Sequence, residues 1–358
     1  MPDALNEAAV RAVLADFKDP ETGRSVMQME QVRDLRVADD RVSLTLALTT
    51  HSAPLWKETQ RDVVELLRTG LPQVKAIDVQ LAIHERPAPR QGEFGLAAKS
   101  IIAVGSGKGG VGKSTIAASV ALGLARAGSK VGLMDADVYG PSIPHLLGVQ
   151  QMPPPDGNRL MPADVSGLKV MSMAFLVPAA EAVVWRGPML HKAVQQFLGG
   201  TAWDNLDYLI VDMPPGTGDV ALSLSQSVPL TGAIVVCTPQ DVALLDAVKA
   251  IAMFRKVNIP VLGMVENMSY FVCPGCDKRY DIFGSGGAKR KAEELGIPFL
   301  GEVPINIRIR AHGDEGRTAE NFNDVDSAPF LEAISYRLVK NLAEQHKARP
   351  PLPTLSVL

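Results

Sequence analysis

A glycine-rich segment at residues 105–115 constrains the fold of this chain more than any other feature. It contains the phosphate-loop pattern G-x-x-x-x-G-K-[ST], which runs from Gly107 to Ser114. The apolar run Ser100–Val104 precedes it, and apolar residues at helical spacing follow at Ile116–Ala127. Strand, glycine turn and helix in this order place the positive end of the helix at a phosphate. The segment therefore predicts a nucleotide-binding α/β domain.

Each residue type in this loop has a use in binding phosphate. Glycines let the backbone turn tightly and point its N–H groups inward. Lys113 supplies a charge for the β- and γ-phosphates, and the Ser114 hydroxyl suits Mg²⁺. Lys108 is a second lysine, which the pattern does not require. The predicted nucleotide contacts in the loop are Gly107, Lys108, Gly109, Gly110, Val111, Gly112, Lys113, Ser114 and Thr115.

Composition describes an ordinary globular protein and excludes several function classes. The 358 residues are 46% hydrophobic and 21% charged, which suits two domains or one large domain. A formal net charge of -3 argues against a nucleic-acid partner. The N-terminus does not resemble a signal peptide, and no apolar run approaches the roughly 20 residues of a membrane span. Three cysteines do not form a disulfide framework. We therefore expect a cytoplasmic protein with no nucleic-acid partner and no membrane partner.

Changes of pattern divide the chain into four parts. Residues 1–84 combine helical and alternating segments and predict a small α+β domain. Residues 85–99 contain prolines and glycines without periodicity and predict a linker. Residues 100–346 alternate short apolar runs with helical segments, which predicts a P-loop domain with a mostly parallel sheet flanked by helices. Residues 347–358 contain three prolines and are expected to be irregular.

Acidic residues follow two of the predicted strands. Because ligands bind at the carboxyl ends of such strands, Asp135, Asp137 and Asp212 are expected to face the nucleotide. Asp212 fits the Mg²⁺-binding aspartate, Asp137 is the candidate for orienting the attacking water, and Asp135 is expected to support the Mg²⁺ site indirectly. Gly216 is expected to offer its N–H to the γ-phosphate. A helix N-cap is the alternative for each carboxylate, and for Asp219 both interpretations stay open.

The segment Cys273-Pro274-Gly275-Cys276 is the second candidate site. A Cys-x-x-Cys pair serves as a redox dithiol, half a zinc site or half an iron–sulfur site. Cys237 lies in an apolar run and is expected to be buried and inert. One chain thus offers two thiolates where zinc or a [4Fe–4S] cluster usually takes four. A symmetric dimer would supply the other two if the pair lies near the two-fold axis.

The loop from Lys108 to Ser114 resembles the deviant Walker A motif of the MinD/ParA/nitrogenase-iron-protein class of P-loop ATPases. The resemblance implies that Lys108 reaches the partner's phosphates in a nucleotide-sandwich dimer and neutralises transition-state charge, as an arginine finger does. It also implies that Asp135–Asp137 forms switch I and that Asp212–Asp219 forms Walker B and switch II. Asn267 would contact adenine, and a turn residue is the alternative for it.

Further segments narrow the resemblance to the Mrp/ApbC family of iron–sulfur cluster carrier ATPases, over residues 100–316. The resembling segments are Trp185–Met189, Asp207–Asp219, Glu266–Ser269 and Cys273–Cys276. The resemblance implies a homodimer that bridges a [4Fe–4S] cluster through Cys273 and Cys276 of each subunit. It implies ATP and Mg²⁺ as cofactors, with Ser114 and Asp212 at the Mg²⁺, and iron–sulfur apoproteins and assembly scaffolds as partners. We expect slow intrinsic ATP hydrolysis.

Residues 1–84 resemble the small iron–sulfur-assembly-type domain that precedes the ATPase in many bacterial members. The segment Asp19–Gly23, which reads Asp-Pro-Glu-Thr-Gly, carries this resemblance. The family often has a cysteine just before the proline that leads the second helix, where this chain has Ala53. Docking of client proteins, rather than metal binding, is therefore expected of this domain.

Three other functions share parts of the pattern. A MinD/ParA-type positioning ATPase would share the loop, but MinD-like proteins end in a basic amphipathic helix, which the tail Pro350–Pro353 does not suit. A non-enzymatic, zinc-bridged nucleotide-binding dimer would share the cysteine pair and differs in its metal. A nitrogenase-type electron-transfer protein would share both features and differs in reducing a partner.

Overall fold

The computed structural model describes residues 5–92, 95–138, 140–175 and 187–348. Trp185 and Arg186 of the predicted motif lie outside these residues, as do residues 349–358 of the predicted tail. By its contacts the chain forms two units, Met1–Arg86 with Val339–Leu358 and Pro87–Leu338.

The first unit is the expected small α+β domain. Its helices and strands in the front part of the chain are α1 (Glu7–Leu14), β1 (Val32–Ala38), β2 (Arg41–Leu48), the 3-10 helix Thr50–Leu55, α2 (Trp56–Gly70) and β3 (Ala76–Ile83). β2 is the central strand, antiparallel to β1 and parallel to β3. Asp39 and Asp40 form the turn between β1 and β2. Val42, Leu44 and Leu46 alternate along β2 and are buried, so one face of the sheet packs against the helices.

The second unit alternates strands and helices. Its elements are β4 (Arg90–Gln91), β5 (Leu96–Ser106), α3 (Lys113–Arg126), β6 (Val131–Asp135), α4 (Ile143–Leu146), β7 (Ala163–Val165), β8 (Leu168–Ser172), α5 (Gly187–Gly199), β9 (Leu206–Asp212), α6 (Asp219–Ser227), β10 (Gly232–Cys237), α7 (Asp241–Lys256), β11 (Val261–Val272), β12 (Arg279–Tyr280), α8 (Gly287–Leu295), β13 (Phe299–Ile305) and α9 (Ile307–Asp314), with 3-10 helices at Met173–Phe175 and Thr318–Phe322. The last helix, α10 (Ala328–Ala348), begins in this unit, and its residues from Val339 onward belong to the first unit. Among the residues described, every helix is too short or too polar to span a lipid bilayer.

One ten-stranded sheet forms the centre of this unit. Its order is β12-β11-β10-β5-β9-β6-β8-β7, with β13 also paired to β11 and β4 to β5. The pairs from β11 across to β8, and the β11–β13 pair, are parallel. β4, β7 and β12 pair antiparallel at the margins. Every residue of β9 and β10 is buried, as expected of central strands covered by helices on both faces. The predicted mostly parallel α/β fold is confirmed.

Two predicted boundaries are wrong. The predicted linker 85–99 contains β4 and the first residues of β5, which begins at Leu96 rather than Ser100. The first residues of β5 are in a strand because they pair with β4 and β9. β4 is too short to show a sequence pattern and β9 lies far away in the sequence, so this pairing could not be predicted. The predicted irregular tail begins too early, because Lys347 and Ala348 belong to α10.

Candidate nucleotide site and cysteine hairpin

The phosphate loop lies at the carboxyl edge of the sheet, where β5 ends and α3 begins. Gly110 and Gly112 have φ of 80° and 78°, in the left-handed region that favours glycine. A Cβ on Gly107 would overlap the backbone of Asp246 in α7. These three glycines are therefore required by backbone conformation or by close packing. Lys113 is the first residue of α3, so the loop ends at the positive pole of that helix.

Lys113 is buried and pairs with two carboxylates. Its ammonium donates to Oδ1 of Asp212 at 2.6 Å and to Oγ of Ser114 at 3.2 Å, and it lies 3.8 Å from Oδ2 of Asp137. The Lys113 side chain is 6% exposed and that of Asp212 is fully buried. The structure thus brings four predicted site residues together, although Asp212 lies 99 positions after Lys113.

Asp135 and Asp212 are neighbours in register on β6 and β9. Oδ2 of Asp135 accepts hydrogen bonds from Oγ of Ser172 at 2.9 Å and from the N–H of Ile143 at 3.2 Å. Burial, followed by the charge of Asp212, raises the pKa of Asp135 to about 7. Burial also raises the pKa of Asp212, against the opposing effect of Lys113. Ionisation of both neighbouring carboxylates is unfavourable when no positive charge lies beside them. The pair therefore favours the binding of a cation.

Asp212 also has an oxygen that could bind a divalent cation. Its Oδ2 is buried and has no hydrogen-bond partner among the described residues. The Ser114 hydroxyl acts on the same carboxylate, where its hydrogen bond lowers the pKa of Asp212. Hard oxygen ligands of this kind are those that Mg²⁺ takes in proteins, so the residues present fit that ion.

The segment Asp212–Asp219 contacts the phosphate loop through a backbone hydrogen bond. Gly216 has φ of 85°, and its N–H donates to the carbonyl of Ser106 at 2.9 Å. That N–H must leave Ser106 before it can reach a phosphate. Asp219 is the first residue of α6, while Gly218 occupies the N-cap, so the N-cap interpretation of Asp219 is wrong. Lys108 is half-buried, and its ammonium forms no ion pair with any part of the chain that the structure describes.

Asn267 lies inside β11, so its interpretation as a turn residue is wrong. Its side-chain amide is buried and donates to the carbonyl of Val111 at 2.9 Å. Asn267 therefore contacts the backbone of the phosphate loop at Val111. Position along the chain gave no signal of this contact, because Asn267 and Val111 are 156 residues apart.

The cysteine pair forms the tip of a hairpin between β11 and β12. The strands pair antiparallel through Val272 and Arg279. The Cys273 N–H donates to the carbonyl of Lys278 at 3.0 Å, and the Cys276 N–H donates to the carbonyl of Cys273 at 3.3 Å. Cys276 is exposed and Cys273 is half-buried. The N–H of Gly275, followed by the Cys276 thiol, lowers the pKa of Cys273 and so favours its thiolate.

A single chain supplies only part of a metal site here. The described residues contain no group of three or more His, Cys, Asp or Glu side chains placed to hold a metal ion. Cys237 is buried in β10, and burial raises its pKa to about 12. It is therefore inert, as its sequence context predicts.

Two residues that were assigned no role from the sequence hold this region together. Arg279 lies 4.0 Å above the Tyr270 ring and donates to Oδ1 of Asp281 at 2.9 Å and Oγ of Ser285 at 2.8 Å. The hairpin is thus braced by one guanidinium. Oε2 of Glu266 accepts the N–H of Ala288 at 2.7 Å, in the first turn of α8. An acidic residue after an apolar run was the available signal for Glu266, the same signal that identifies Asp135.

Comparison with known proteins agrees with this geometry. The family model described as NUBPL iron-transfer P-loop NTPase matches residues 97–339. The chain belongs to this family. The chain is 47% identical over 317 residues to the iron-sulfur cluster carrier protein of Deinococcus radiodurans, covering 88% of this chain and 89% of that one. A family model described as iron-sulfur cluster assembly protein matches residues 7–79.

Solved structures resemble about two thirds of this family member. A nucleotide-binding protein from Archaeoglobus fulgidus, solved in complex with ADP, is 41% identical with a TM-score of 0.57, covering 64% of this chain and 90% of that one. The cell division ATPase MinD of Pyrococcus furiosus is 22% identical with a TM-score of 0.52, covering 69% of this chain and 99% of that one. The MinD likeness shows the shared fold alone. The expected P-loop family, with a small assembly-type domain in front, is confirmed.

Proposed function

We propose that this chain is an ATP-hydrolysing carrier that binds a [4Fe–4S] cluster between two copies of itself and transfers it to apoproteins. One observation carries the proposal: a phosphate loop with buried charged side chains and a pair of cysteines at the surface lie on one domain, joined by β11. The Deinococcus radiodurans relative is named an iron-sulfur cluster carrier protein, and the Archaeoglobus fulgidus relative was solved with ADP. Both names agree with the two halves of the proposal.

The chain's own residues bind the nucleotide. The backbone of 107–115 surrounds the phosphates, and Lys113 moves from Asp212 to the β- and γ-phosphates. Ser114 and Asp212 would hold Mg²⁺, which would neutralise charge on the phosphate oxygens. Transfer of Lys113 to the phosphates leaves Asp212 with both oxygens available, so phosphate and cation binding support each other.

Hydrolysis involves three further residues, of which Gly216 and Lys108 must still reach the phosphates. Asp137 lies beside Lys113 and orients the attacking water. Gly216 turns its N–H from Ser106 to the γ-phosphate. Lys108, whose ammonium is unpaired in the described chain, reaches the phosphates of the second copy and balances transition-state charge. Because a lone chain lacks that contact, its turnover is slow.

The cluster is cargo held by thiolates from two chains. Cys273 and Cys276 of each copy together provide the four sulfur ligands that a [4Fe–4S] cluster takes. The side chains of Val272, Tyr280, Ile282 and Phe283 around the pair are exposed, which suits a surface that becomes covered on assembly. The first unit docks client apoproteins and assembly scaffolds. Its match to an assembly-protein family supports that role, and Ala53 argues against a metal there.

Cluster transfer to an apoprotein tests this function. The full-length protein is loaded anaerobically with iron and sulfide and is then mixed with the apo form of a [4Fe–4S] enzyme, with and without Mg²⁺-ATP. We expect recovery of enzyme activity faster than from free iron and sulfide, and with no loss to an iron chelator. Recovery no faster than from free iron and sulfide would contradict the carrier function. Deletion of residues 1–86 should slow transfer to some clients, and unchanged transfer to all would remove the docking role.

A further inference from the structure

β11 connects the two parts of the candidate site over a very short distance along the chain. Asn267 of this strand contacts the phosphate loop, and Cys273 follows directly after its last residue, Val272. We propose that Asn267 is a positioning residue that couples nucleotide occupancy of the loop to the exposure of the cysteine pair. This inference rests on the proposed function, because it needs a nucleotide in the loop and thiols that act at the hairpin.

At the loop, Asn267 touches the residues that a nucleotide must affect. Its amide donates to the Val111 carbonyl at 2.9 Å, and a Cβ on Gly112 would overlap the same amide nitrogen. Gly112 precedes Lys113, whose ammonium is held by Asp212. Phosphates bind through the N–H groups of this loop and draw Lys113 away from Asp212. A shift of Val111 or Gly112 therefore displaces Asn267.

Behind Asn267 the strand is anchored. Oε1 of Glu266 accepts the N–H of Gly286 at 2.8 Å, and its Oε2 accepts the N–H of Ala288 at 2.7 Å. Glu266 is fully buried. Its bonds to Gly286 and Ala288 resist displacement of Asn267 on the N-terminal side. The hydroxyl of Ser269, two residues beyond Asn267, also donates to Glu266 at 2.5 Å, so a displacement of Asn267 is taken up first at Met268, which lies between them.

On the C-terminal side of Asn267, β11 contains a bulge at which its backbone can change conformation. Asn267 pairs with Val303 and Phe271 with Ile305, so four positions along β11 correspond to two along β13. Met268, within this bulge, has φ of 55°, a left-handed conformation that is rare for a side chain of its size. Cys273 lies beyond the bulge, and its backbone hydrogen bonds to the Lys278 region make the hairpin move as one piece.

Alkylation of the two cysteines in the full-length protein tests the coupling. The probe is iodoacetamide, with each thiol followed by mass spectrometry, with and without saturating Mg²⁺-ADP, and with the ADP affinity measured by calorimetry. Asn267→Asp keeps the side-chain shape but exchanges the N–H donor for an acceptor. Asn205→Asp, at an exposed position outside β11, is the matched control. Cys237 is buried and serves as an internal reference for unfolding.

We expect ADP to slow alkylation of Cys273 and Cys276 by at least about three-fold in the wild type and in Asn205→Asp, and by less than about 1.5-fold in Asn267→Asp. If Asn267→Asp cannot be saturated with ADP, Met268→Gly decides, because a glycine at the bulge also reduces the ADP effect. Full slowing in the deciding variant overturns the coupling. Binding of ADP to the wild type with no change at the thiols overturns the coupling alone, whereas absence of ADP binding overturns the proposed function as well.

Discussion

The nucleotide site and the cysteine hairpin differ in how much of each site one chain contains. Lys113, Asp137 and Asp212 are each at most 6% exposed and form ion pairs with one another within a single chain. Cys276 is exposed, and no third ligand lies beside the pair among the described residues. Buried charges destabilise a fold unless their partners are present, while thiols at the surface tolerate an absent partner. The buried charges of the nucleotide site must therefore be paired within the chain, whereas the ligands missing from the cysteine site can be supplied by assembly.

Removal of the cysteines gives the largest expected effect and separates the two sites. The double variant Cys273→Ala, Cys276→Ala should retain no iron or sulfide after anaerobic reconstitution. Its ADP affinity should stay within about two-fold of wild type, because the phosphate loop uses none of these atoms. Iron and sulfide analysis with calorimetry checks both statements. Cys237→Ala is the control and should bind a full cluster; stoichiometric iron in the double variant would refute the assignment.

Substitution of Lys108 and substitution of Lys113 should impair different steps, hydrolysis in one case and ATP binding in the other. Lys108→Ala should slow ATP hydrolysis about 10³-fold and change ATP affinity little, since the second copy supplies this charge only for the transition state. Lys113→Ala should weaken ATP binding about 100-fold, because it removes the charge nearest the phosphates. Steady-state hydrolysis and nucleotide titration distinguish these effects. Equal losses of ATP affinity in both variants would contradict a role for Lys108 across the dimer.

The buried carboxylates predict a pH-dependent stability of the nucleotide-free protein. Because the pKa of Asp135 rises from 3.8 to about 7 on folding, the folded state holds a proton there that the unfolded state releases. This contribution is fully present below about pH 4 and is lost as the pH rises through about 7. Asp135→Asn should therefore raise the melting temperature relative to wild type by ~3 °C at pH 8, and by less at pH 5.

Scanning calorimetry of the two proteins across this range checks the sign. The exposed Asp326→Asn variant is the control and should follow the wild type at each pH. A difference between Asp135→Asn and wild type that grows toward low pH would contradict the burial of an ionisable pair.

The smallest expected effect concerns the brace of the hairpin. Arg279→Ala removes the contact with Tyr270 and the bonds to Asp281 and Ser285, all of them near the surface. Such contacts contribute about 1 kcal/mol or less, so a bound cluster should be lost to a chelator about two- to five-fold faster. ADP affinity should not change. A loss of ADP binding in this variant would show that the two sites are less separate than the structure indicates.

Sequence predicts those parts of both sites that are encoded by local spacing. The glycines and lysines of 105–115 and the pair Cys273 and Cys276 are close in the chain, and their residue types determine their chemistry. Asp135 and Asp212 were also predicted, because each follows an apolar run and parallel strands end at one edge. The pairing of Lys113 with Asp212 was not predicted, since it depends on the strand order that places β5 and β9 side by side.

Backbone pairing explains most of what the sequence did not reveal. Leu96–Lys99 belongs to β5 through its neighbours β4 and β9, although its own residues read as part of a linker. Asn267 reads as a turn residue in one interpretation of the sequence, yet it lies in β11 against Val111. The bulge that follows it appears only from the register with β13.

The claim that the cysteine hairpin is half of a site is tested most directly by mass and metal content together. The full-length protein is reconstituted anaerobically with iron and sulfide, and its mass is measured by sedimentation with and without Mg²⁺-ATP. The account predicts about four iron ions and four sulfides per two chains, on a species of twice the mass of one chain. A full cluster on a single chain, or bound zinc with no iron, would contradict it.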